Sequence, residues 1–407
     1  MHMKKRKPWT KFRHKVITFI FAPILSLAAR IKYGLKIERF AQEGKRSWLI
    51  LANHQTDLDQ FYVAGAFRQP VYYVAMEDMF SMGFISKALS WTVAPIPFMK
   101  GSSDIKAVMN CLRVAKEGGT IALFPEGNRT YSGRTCYIKP AVAAMAKKMG
   151  LPIAIFRIDG GYGVKPRWAK TKRKGPMTAG VTRVIEPEEY KEMTAEQLYE
   201  LICRELWADE SRDDGREYVG KDLAEGLERV LYVCPDCGFS EFESKGDLVG
   251  CRRCGRKYRY RPDKQFEALE GETPFRGVGE WYDYQEAFVR SADLSAYDES
   301  PLYTDTANLF EVIVYDKKRL LEKGVSIKIF GNCLRVSGSG ADLVMPYSDI
   351  KAMTCVAGHK LNIFCGDKIY QLKGDDSFNA LKYCNIYYHA KFAAEKHEEG
   401  DFEFLGL

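Results

Sequence analysis

Trp48-Leu49-Ile50-Leu51-Ala52-Asn53-His54-Gln55-Thr56-Asp57-Leu58-Asp59 is a short apolar run that breaks at an asparagine, followed by a histidine with a carboxylate five positions on. The run is too short for a typical helix and ends at a polar break, so it reads as a strand. His54 then stands just past the strand's C-terminal end, where open α/β sheets place their ligand sites. Thr56 is a candidate cap, Asp59 lies three residues later as in a capping box, and Leu58, Phe61, Tyr62 and Ala64 begin an apolar helical stripe. A neutral imidazole at such a turn can take the proton of an attacking hydroxyl. A carboxylate on its other nitrogen would fix the tautomer and stabilise the imidazolium. Asp57 and Asp59 are both near enough in sequence to be that carboxylate, and a helix cap beside a packed histidine would give the same heptapeptide. Of the six histidines, His2 and His14 lie in a basic N-terminal arm and His359, His389 and His397 are distant, so histidine chemistry in the first half rests on His54.

Outward from this turn, apolar runs alternate with helical stripes between residues 46 and 208. Strands are expected at Val71–Ala75, Ile121–Phe124 and Ile153–Arg157. Helices are expected near Ile85–Trp91, from Ser103 or Asp104 to Gly118, and near Ala141–Met149. This alternation predicts an α/β fold with a mostly parallel sheet flanked by helices. Behind the Ile121–Phe124 strand comes Glu126-Gly127-Asn128-Arg129, where a glycine admits close backbone approach and Arg129 offers a planar fork for phosphate or carboxylate. A plain surface turn is the other reading of that tetrapeptide. Lys100 and Arg157 are further candidate phosphate contacts, although either would be unremarkable as surface charge.

Asn53-His54-x4-Asp59, Pro97-Phe98-Met99-Lys100, Phe124-Pro125-Glu126-Gly127-Asn128-Arg129-Thr130 and Leu151-Pro152-Ile153-Ala154-Ile155 resemble the four ordered blocks of the PlsC-like glycerophospholipid acyltransferases. The resemblance spans roughly residues 40 to 190 and implies that His54 deprotonates a lysophospholipid hydroxyl, which attacks an acyl thioester with no covalent enzyme intermediate. It implies that Asp59 orients His54, that Lys100, Glu126, Gly127 and Arg129 bind substrate, and that the last three hold its glycerol-phosphate portion. The implied product is phosphatidic acid from 1-acyl-sn-glycerol-3-phosphate, with acyl-CoA or acyl-carrier protein as donor and no catalytic cofactor. Three departures stand out: Lys100 replaces the usual Arg, Ile138-Lys139-Pro140-Ala141 replaces Phe-Lys-x-Gly, and Phe156-Arg157 replaces a terminal Pro. They leave acceptor and acyl chain open, so acylation of another lyso-lipid or phosphorylated alcohol is an alternative.

The 407 residues are 46% apolar and 28% charged, an ordinary globular composition that excludes wholesale disorder. Net charge is +8, with Lys4, Lys5, Arg6, Lys7, Lys11, Arg13, Lys15, Arg30, Lys32 and Lys36 preceding the first acid, Glu38. Between them Val16–Ala29 carries no charge. As a helix that stretch would span roughly 21 Å, short of the ~30 Å hydrocarbon core, and Pro23 interrupts it. A helix or helix pair lying on anionic lipid is therefore expected, on the cytoplasmic face of the membrane. A signal peptide cut near Ser26-Leu27-Ala28 is the rival. Seven scattered cysteines, an odd number, suit a reducing compartment and argue against export. The basic loop Lys165–Lys174 with Trp168 fits a headgroup interface or a solvated loop equally.

Cys234-x2-Cys237 and Cys251-x2-Cys254 have the spacing of two knuckles that supply four thiolates to a structural zinc, resembling a zinc ribbon. Arg252, Arg253, Arg256, Lys257, Arg259 and Arg261 with Tyr258 and Tyr260 would permit nucleic-acid contact, the basis of a rival reading as a non-catalytic adaptor. The intact catalytic blocks weigh against it, and a nucleic-acid partner is not expected. Short β-like runs from Phe310 to Leu372 and a helix over 377–396 resemble a pleckstrin-homology or GRAM-like domain. The expected organisation is a membrane anchor (1–40), acyltransferase domain (41–210), linker (211–232), ribbon (233–262), linker (263–302) and β-rich domain (303–400).

Overall fold

The computed structural model describes residues 7–98 and 105–395. Lys100, the candidate caps Ser103 and Asp104, His397 and the end of the expected last helix lie outside them. The chain forms two compact units. One comprises the chain up to Gly127 with Ile138–Asp159 and Met177–Trp207; the other comprises Asn128–Tyr137, Gly160–Pro176 and everything from Ala208.

In the first unit, helix α1 (Phe12–Tyr33) precedes β1 (Lys36–Ile37) and β2 (Leu49–Ala52). There follow α2 (Asp59–Ala66), β3 (Val71–Met76), α3 (Phe84–Thr92), β4 (Ile96–Phe98), α4 (Ile105–Lys116), β5 (Thr120–Leu123), α5 (Ala141–Met149), β6 (Ile153–Asp159) and β7 (Thr178–Ile185). The sheet order is β1-β7-β6-β2-β5-β3-β4. Every neighbour pair is parallel except β6 and β7. The fold is thus mixed α/β with a mostly parallel sheet, and β2 lies at its centre. Leu49, Leu51, Ile121, Ile153 and Ile155 form one core with Val114, Val142, Ala146, Leu198 and Ile202. Each fully buried leucine, isoleucine or valine among them contributes about 1.5–3 kcal/mol. The helix Ala195–Leu206 begins with a capping box: Gln197 N donates to the Thr194 hydroxyl, and Thr194 N to the Gln197 side chain.

Pro23 does not divide α1. Its missing N–H removes one bond, the turns on either side persist, and Ser26 Oγ donates to Ala22 O at 2.8 Å. The helix runs 22 residues and its most apolar 18 have mean hydropathy 1.6, so it is long and apolar enough, by length and composition, to cross a membrane. It packs on α2 where Gly65 stands: a Cβ there would meet Ser26 Oγ at 2.2 Å. The candidate cleavage site at Ser26–Ala28 lies inside this continuous helix.

In the second unit, seven antiparallel strands form one sheet. In chain order they are Tyr303–Glu311, Arg319–Ile329, Cys333–Ser337, Asp342–Pro346, Ile350–Val356, Lys360–Cys365 and Lys368–Lys373, followed by the helix Ala380–Ala394. The first and last strands pair with each other. A separate four-stranded sheet carries Phe242–Lys245, Leu248–Cys251, Lys257–Tyr260 and Phe266–Ala268.

Two expected linkers are core instead. Leu223, Leu227, Val230 and Leu231 from the first, and Val278, Trp281 and Val289 from the second, are buried in one cluster with Val249 of the ribbon and Leu361 of the β-rich sheet. Charged residues dominate the composition of 211–232, yet its apolar minority is what packs. The basic loop is also core. Trp168 is fully buried edge-on to Tyr260, and the buried Arg173 guanidinium lies 5.0 Å from the Trp168 ring. Lys165 Nζ donates to the carbonyls of Ala169, Lys170 and Thr171, closing the loop on itself. Trp168 therefore does not serve a headgroup interface.

Candidate active site

At the C-terminal end of β2 the chain turns sharply, held from its neighbour β6. The Asn53 side chain donates to Ile158 O and accepts from Ile158 N, both at 2.8 Å. His54 follows, its ring stacked on Phe124 with centroids 4.4 Å apart. Its Nδ1 lies 2.8 Å from Asp59 Oδ2, and the imidazole is 21% exposed while the carboxylate is fully buried. The geometry selects Asp59, not Asp57, as the partner.

Helix α2 starts later than the capping pattern implies. Its cap residue is Leu58, which makes no side-chain cap, and Asp59 is its first residue. The Asp59 carboxylate is drawn back into the turn, accepting from Gln55 N at 2.6 Å, Thr56 Oγ1 at 2.6 Å and Thr56 N at 3.0 Å. These donors lock the carboxylate in place, and the carboxylate in turn orients the imidazole. Nε2 lies on the opposite edge of the ring from this anchor.

Glu126 approaches from the end of β5. It is buried, and its Oε1 accepts from the backbone N–H of His54 at 2.7 Å. Two strand ends are thereby tied together at the histidine. Gly127 has φ +70 and its N–H donates to Phe124 O. A Cβ there would meet nothing within 4 Å, so the requirement for glycine comes from the backbone alone. Gly127→Ala should cost about 1–2 kcal/mol. The expected loss is a few degrees in melting temperature, with Gly127→Asn milder; equal melting of Ala and parent would remove the argument.

Arg129 belongs to the second unit, the division falling between Gly127 and Asn128. Lys139, following the third block, has its pKa lowered by burial. Arg157 Nη1 donates to Trp207 O at 2.7 Å, just past the C-terminus of the Ala195–Leu206 helix. Asn53 and Thr56, read from sequence only as a strand break and a candidate cap, hold the turn around His54 and Asp59.

The four ribbon cysteines converge, with all their Sγ atoms within 4.8 Å of one another. Cys234 and Cys254 are 3.7 Å apart, Cys237 and Cys251 3.6 Å. Tetrahedral thiolates about 2.3 Å from zinc stand about 3.8 Å apart, so the donor set and its spacing fit that ion. Four sulfurs leave no position for water, the arrangement of a structural site. Both of the ribbon's tyrosine rings and two of its cations are otherwise engaged. Tyr258 and Tyr260 are buried, Arg256 pairs with Asp236 at 2.7 Å and Arg261 with Asp263 at 2.7 Å. No stacking platform for bases is left on those two tyrosines.

Residues 35–158 match the family model described as Acyltransferase. A chloroplastic 1-acyl-sn-glycerol-3-phosphate acyltransferase from Brassica napus is 28% identical over 33% of this chain and 38% of its own length. One from Arabidopsis thaliana is 26% identical over 33% and 37%. The chain thus spans less than two-fifths of the length of these plant relatives. A 1-acyl-sn-glycerol-3-phosphate acyltransferase from Pseudomonas aeruginosa is 26% identical over 38% of this chain and 68% of its own. The crystal structure of PlsC, the 1-acyl-sn-glycerophosphate acyltransferase of Thermotoga maritima, aligns with 48% of this chain and 82% of its own at TM-score 0.40 and 19% identity. With its histidine and aspartate joined at the end of the central strand, the segment 35–158 is a domain of the PlsC-like glycerophospholipid acyltransferase family.

Proposed function

We propose that this chain transfers a fatty acyl group from an acyl thioester to the free hydroxyl of 1-acyl-sn-glycerol-3-phosphate, releasing phosphatidic acid and the thiol. The observation that carries the reading is the 2.8 Å contact between His54 Nδ1 and the buried Asp59 carboxylate, within the family's first block. His54 Nε2 accepts the proton of the acceptor hydroxyl as its oxygen attacks the thioester carbonyl. The tetrahedral intermediate collapses, the C–S bond breaks, and the imidazolium returns its proton to the departing sulfur. Asp59 stabilises the imidazolium without exchanging a proton. No catalytic cofactor is needed, and acyl-CoA and acyl-carrier protein both supply the required thioester.

Arg129 and Lys100 hold the acceptor's phosphate in this reading. Glu126, expected to touch the glycerol-phosphate portion, acts instead by holding the His54 backbone, because a carboxylate beside a phosphate would repel it. The substrate lies in a bilayer, which α1 meets. Phe12, Phe19 and Ile31 on α1 are more than three-quarters exposed, as is Phe84 on α3. Arg13 lies over Trp91 of α3 and donates to its carbonyl, keeping the two helices together. This apolar face with its flanking cations suits a monotopic seat on the cytoplasmic leaflet. The second unit, with a structural zinc on Cys234, Cys237, Cys251 and Cys254, is a regulatory module in this scheme.

The test is transfer of labelled acyl groups from acyl-CoA and from acyl-carrier protein to 1-acyl-sn-glycerol-3-phosphate in vesicles containing anionic lipid. A panel of other lyso-lipids runs beside it, because Lys100 stands where the family has Arg. Preference for the phosphate monoester supports the reading. Turnover of another lyso-lipid alone reassigns the acceptor, and inactivity with every thioester and acceptor rejects the assignment.

A further inference from the structure

Arg167 is a buried cation without a carboxylate partner among the contacts described for it. Its guanidinium instead joins two distant stretches of backbone. Nη1 donates to Arg129 O at 2.8 Å, and Nη2 donates to Cys355 O at 2.8 Å across 188 residues of sequence. Nε reaches Ala357 O at 3.4 Å, and the guanidinium carbon stands 4.1 Å from the Tyr131 ring centroid. Every one of these groups belongs to the second unit.

Arg129 lies near the end of the third acyltransferase block and Tyr131 just past it, whereas Cys355 and Ala357 lie at the end of the Ile350–Val356 strand and the turn after it. That turn is closely built. Ala357 has φ +55, and a Cβ at Gly358 would meet Arg229 Nη1 at 3.0 Å. A planar fork with donors at fixed angles suits two carbonyls approaching from different elements; a lysine ammonium carries no such geometry. Backbone carbonyls specify no side chain, so these bonds serve to set where the 129–131 backbone runs.

We propose that Arg167 is a positioning residue for acceptor binding, clamping the backbone of Arg129 to the β-rich domain so that affinity for the acceptor's phosphate depends on that domain. The clamp gives a domain remote in sequence a lever on substrate affinity. It rests on the reading of Arg129 as the phosphate contact.

The experiment measures steady-state kinetics of the full chain in vesicles for the parent, Arg129→Ala, Arg167→Lys and the double variant, varying lysophosphatidate and acyl-CoA separately. Melting profiles and zinc content establish that each is folded. Arg167→Lys should raise KM for lysophosphatidate roughly tenfold, with kcat and the acyl-CoA KM unchanged. The double variant should be no worse than Arg129→Ala alone. Hydrogen exchange in peptides covering 128–131 should accelerate in Arg167→Lys. If that variant does not fold, Tyr131→Leu, which removes the ring under the guanidinium, is read by the same split. Arg129→Ala with a raised acceptor KM beside a folded clamp variant with parental KM overturns the clamp alone. Additive losses, or equal changes in donor and acceptor KM, do the same. An unchanged acceptor KM in Arg129→Ala overturns the phosphate reading and the clamp together.

Discussion

His54→Ala is expected to lower kcat for acyl transfer by about two to four orders of magnitude, the contribution of a positioned general base, while the protein stays folded. The folding half of this expectation follows from the surroundings of Asp59. Removing the imidazole deletes one of its donors, but Gln55 N, Thr56 N and Thr56 Oγ1 still satisfy the buried carboxylate. The lost packing is the stack on Phe124, on a ring already 21% exposed. Melting temperature should therefore shift by only a few degrees, separating loss of chemistry from loss of structure. Asp59→Asn is a different case. An amide would turn two hydrogens toward a turn that offers donors, so activity and stability should fall together. Steady-state rates paired with melting curves check both variants. A folded His54→Ala protein that turns over within twofold of the parent would sink the assignment of the base.

Stripping zinc should unfold the ribbon and the β-rich sheet in one event. Apparent zinc affinities of four-ligand sites correspond to about 10–16 kcal/mol of folding free energy. Whole domains are stable by only about 5–15 kcal/mol, so loss of the ion outweighs what the rest can hold. Coupling to the sheet arises because Cys234 and Cys251 are themselves buried in the cluster that contains Trp281, Leu361 and Leu381. Tyr303, in the first strand of the sheet, also accepts from Ser240 N beside the cysteines at 3.2 Å. The parent should carry one zinc per chain by elemental analysis. A strong chelator or Cys251→Ser should lower the melting temperature of this unit by more than ten degrees, about what several kcal/mol means for a domain this size. Loss of near-ultraviolet dichroism from the buried aromatics should accompany it. Melting unchanged by chelation, or a sheet transition that persists at its original temperature while the ribbon alone opens, would contradict the shared core.

Much of the candidate site was legible because its information is local. A strand break, a histidine and an aspartate five residues apart lie within one turn, so spacing alone places them on one loop, although it could not choose Asp59 over Asp57. The choice came from Gln55 and Thr56, whose amides point inward only once the turn closes. The two Cys-x2-Cys pairs were equally readable, since a metal's reach is set by bond length. Short apolar runs with polar breaks marked β2, β3, β5 and β6, and periodicity marked the main helices, but neither marked the antiparallel β7, whose side chains alternate in burial only partly.

What only the tertiary structure decided concerns residues whose chemistry permits two environments. Trp168, Arg167 and Arg173 have the composition of a solvated or lipid-facing loop and are buried, because Tyr260, Tyr131 and the carbonyls that receive them come from elsewhere in the chain. Charged linkers became core for the same reason: a few leucines suffice when another element offers an apolar face. Sequence alone determined the fold class, the histidine-aspartate turn and the metal knuckles, since each is specified over a handful of neighbouring residues. Burial of amphipathic side chains and the tie from Arg129 to a strand near residue 355 were decided by the packed structure, because a long side chain satisfies its polar head in water or against distant carbonyls alike.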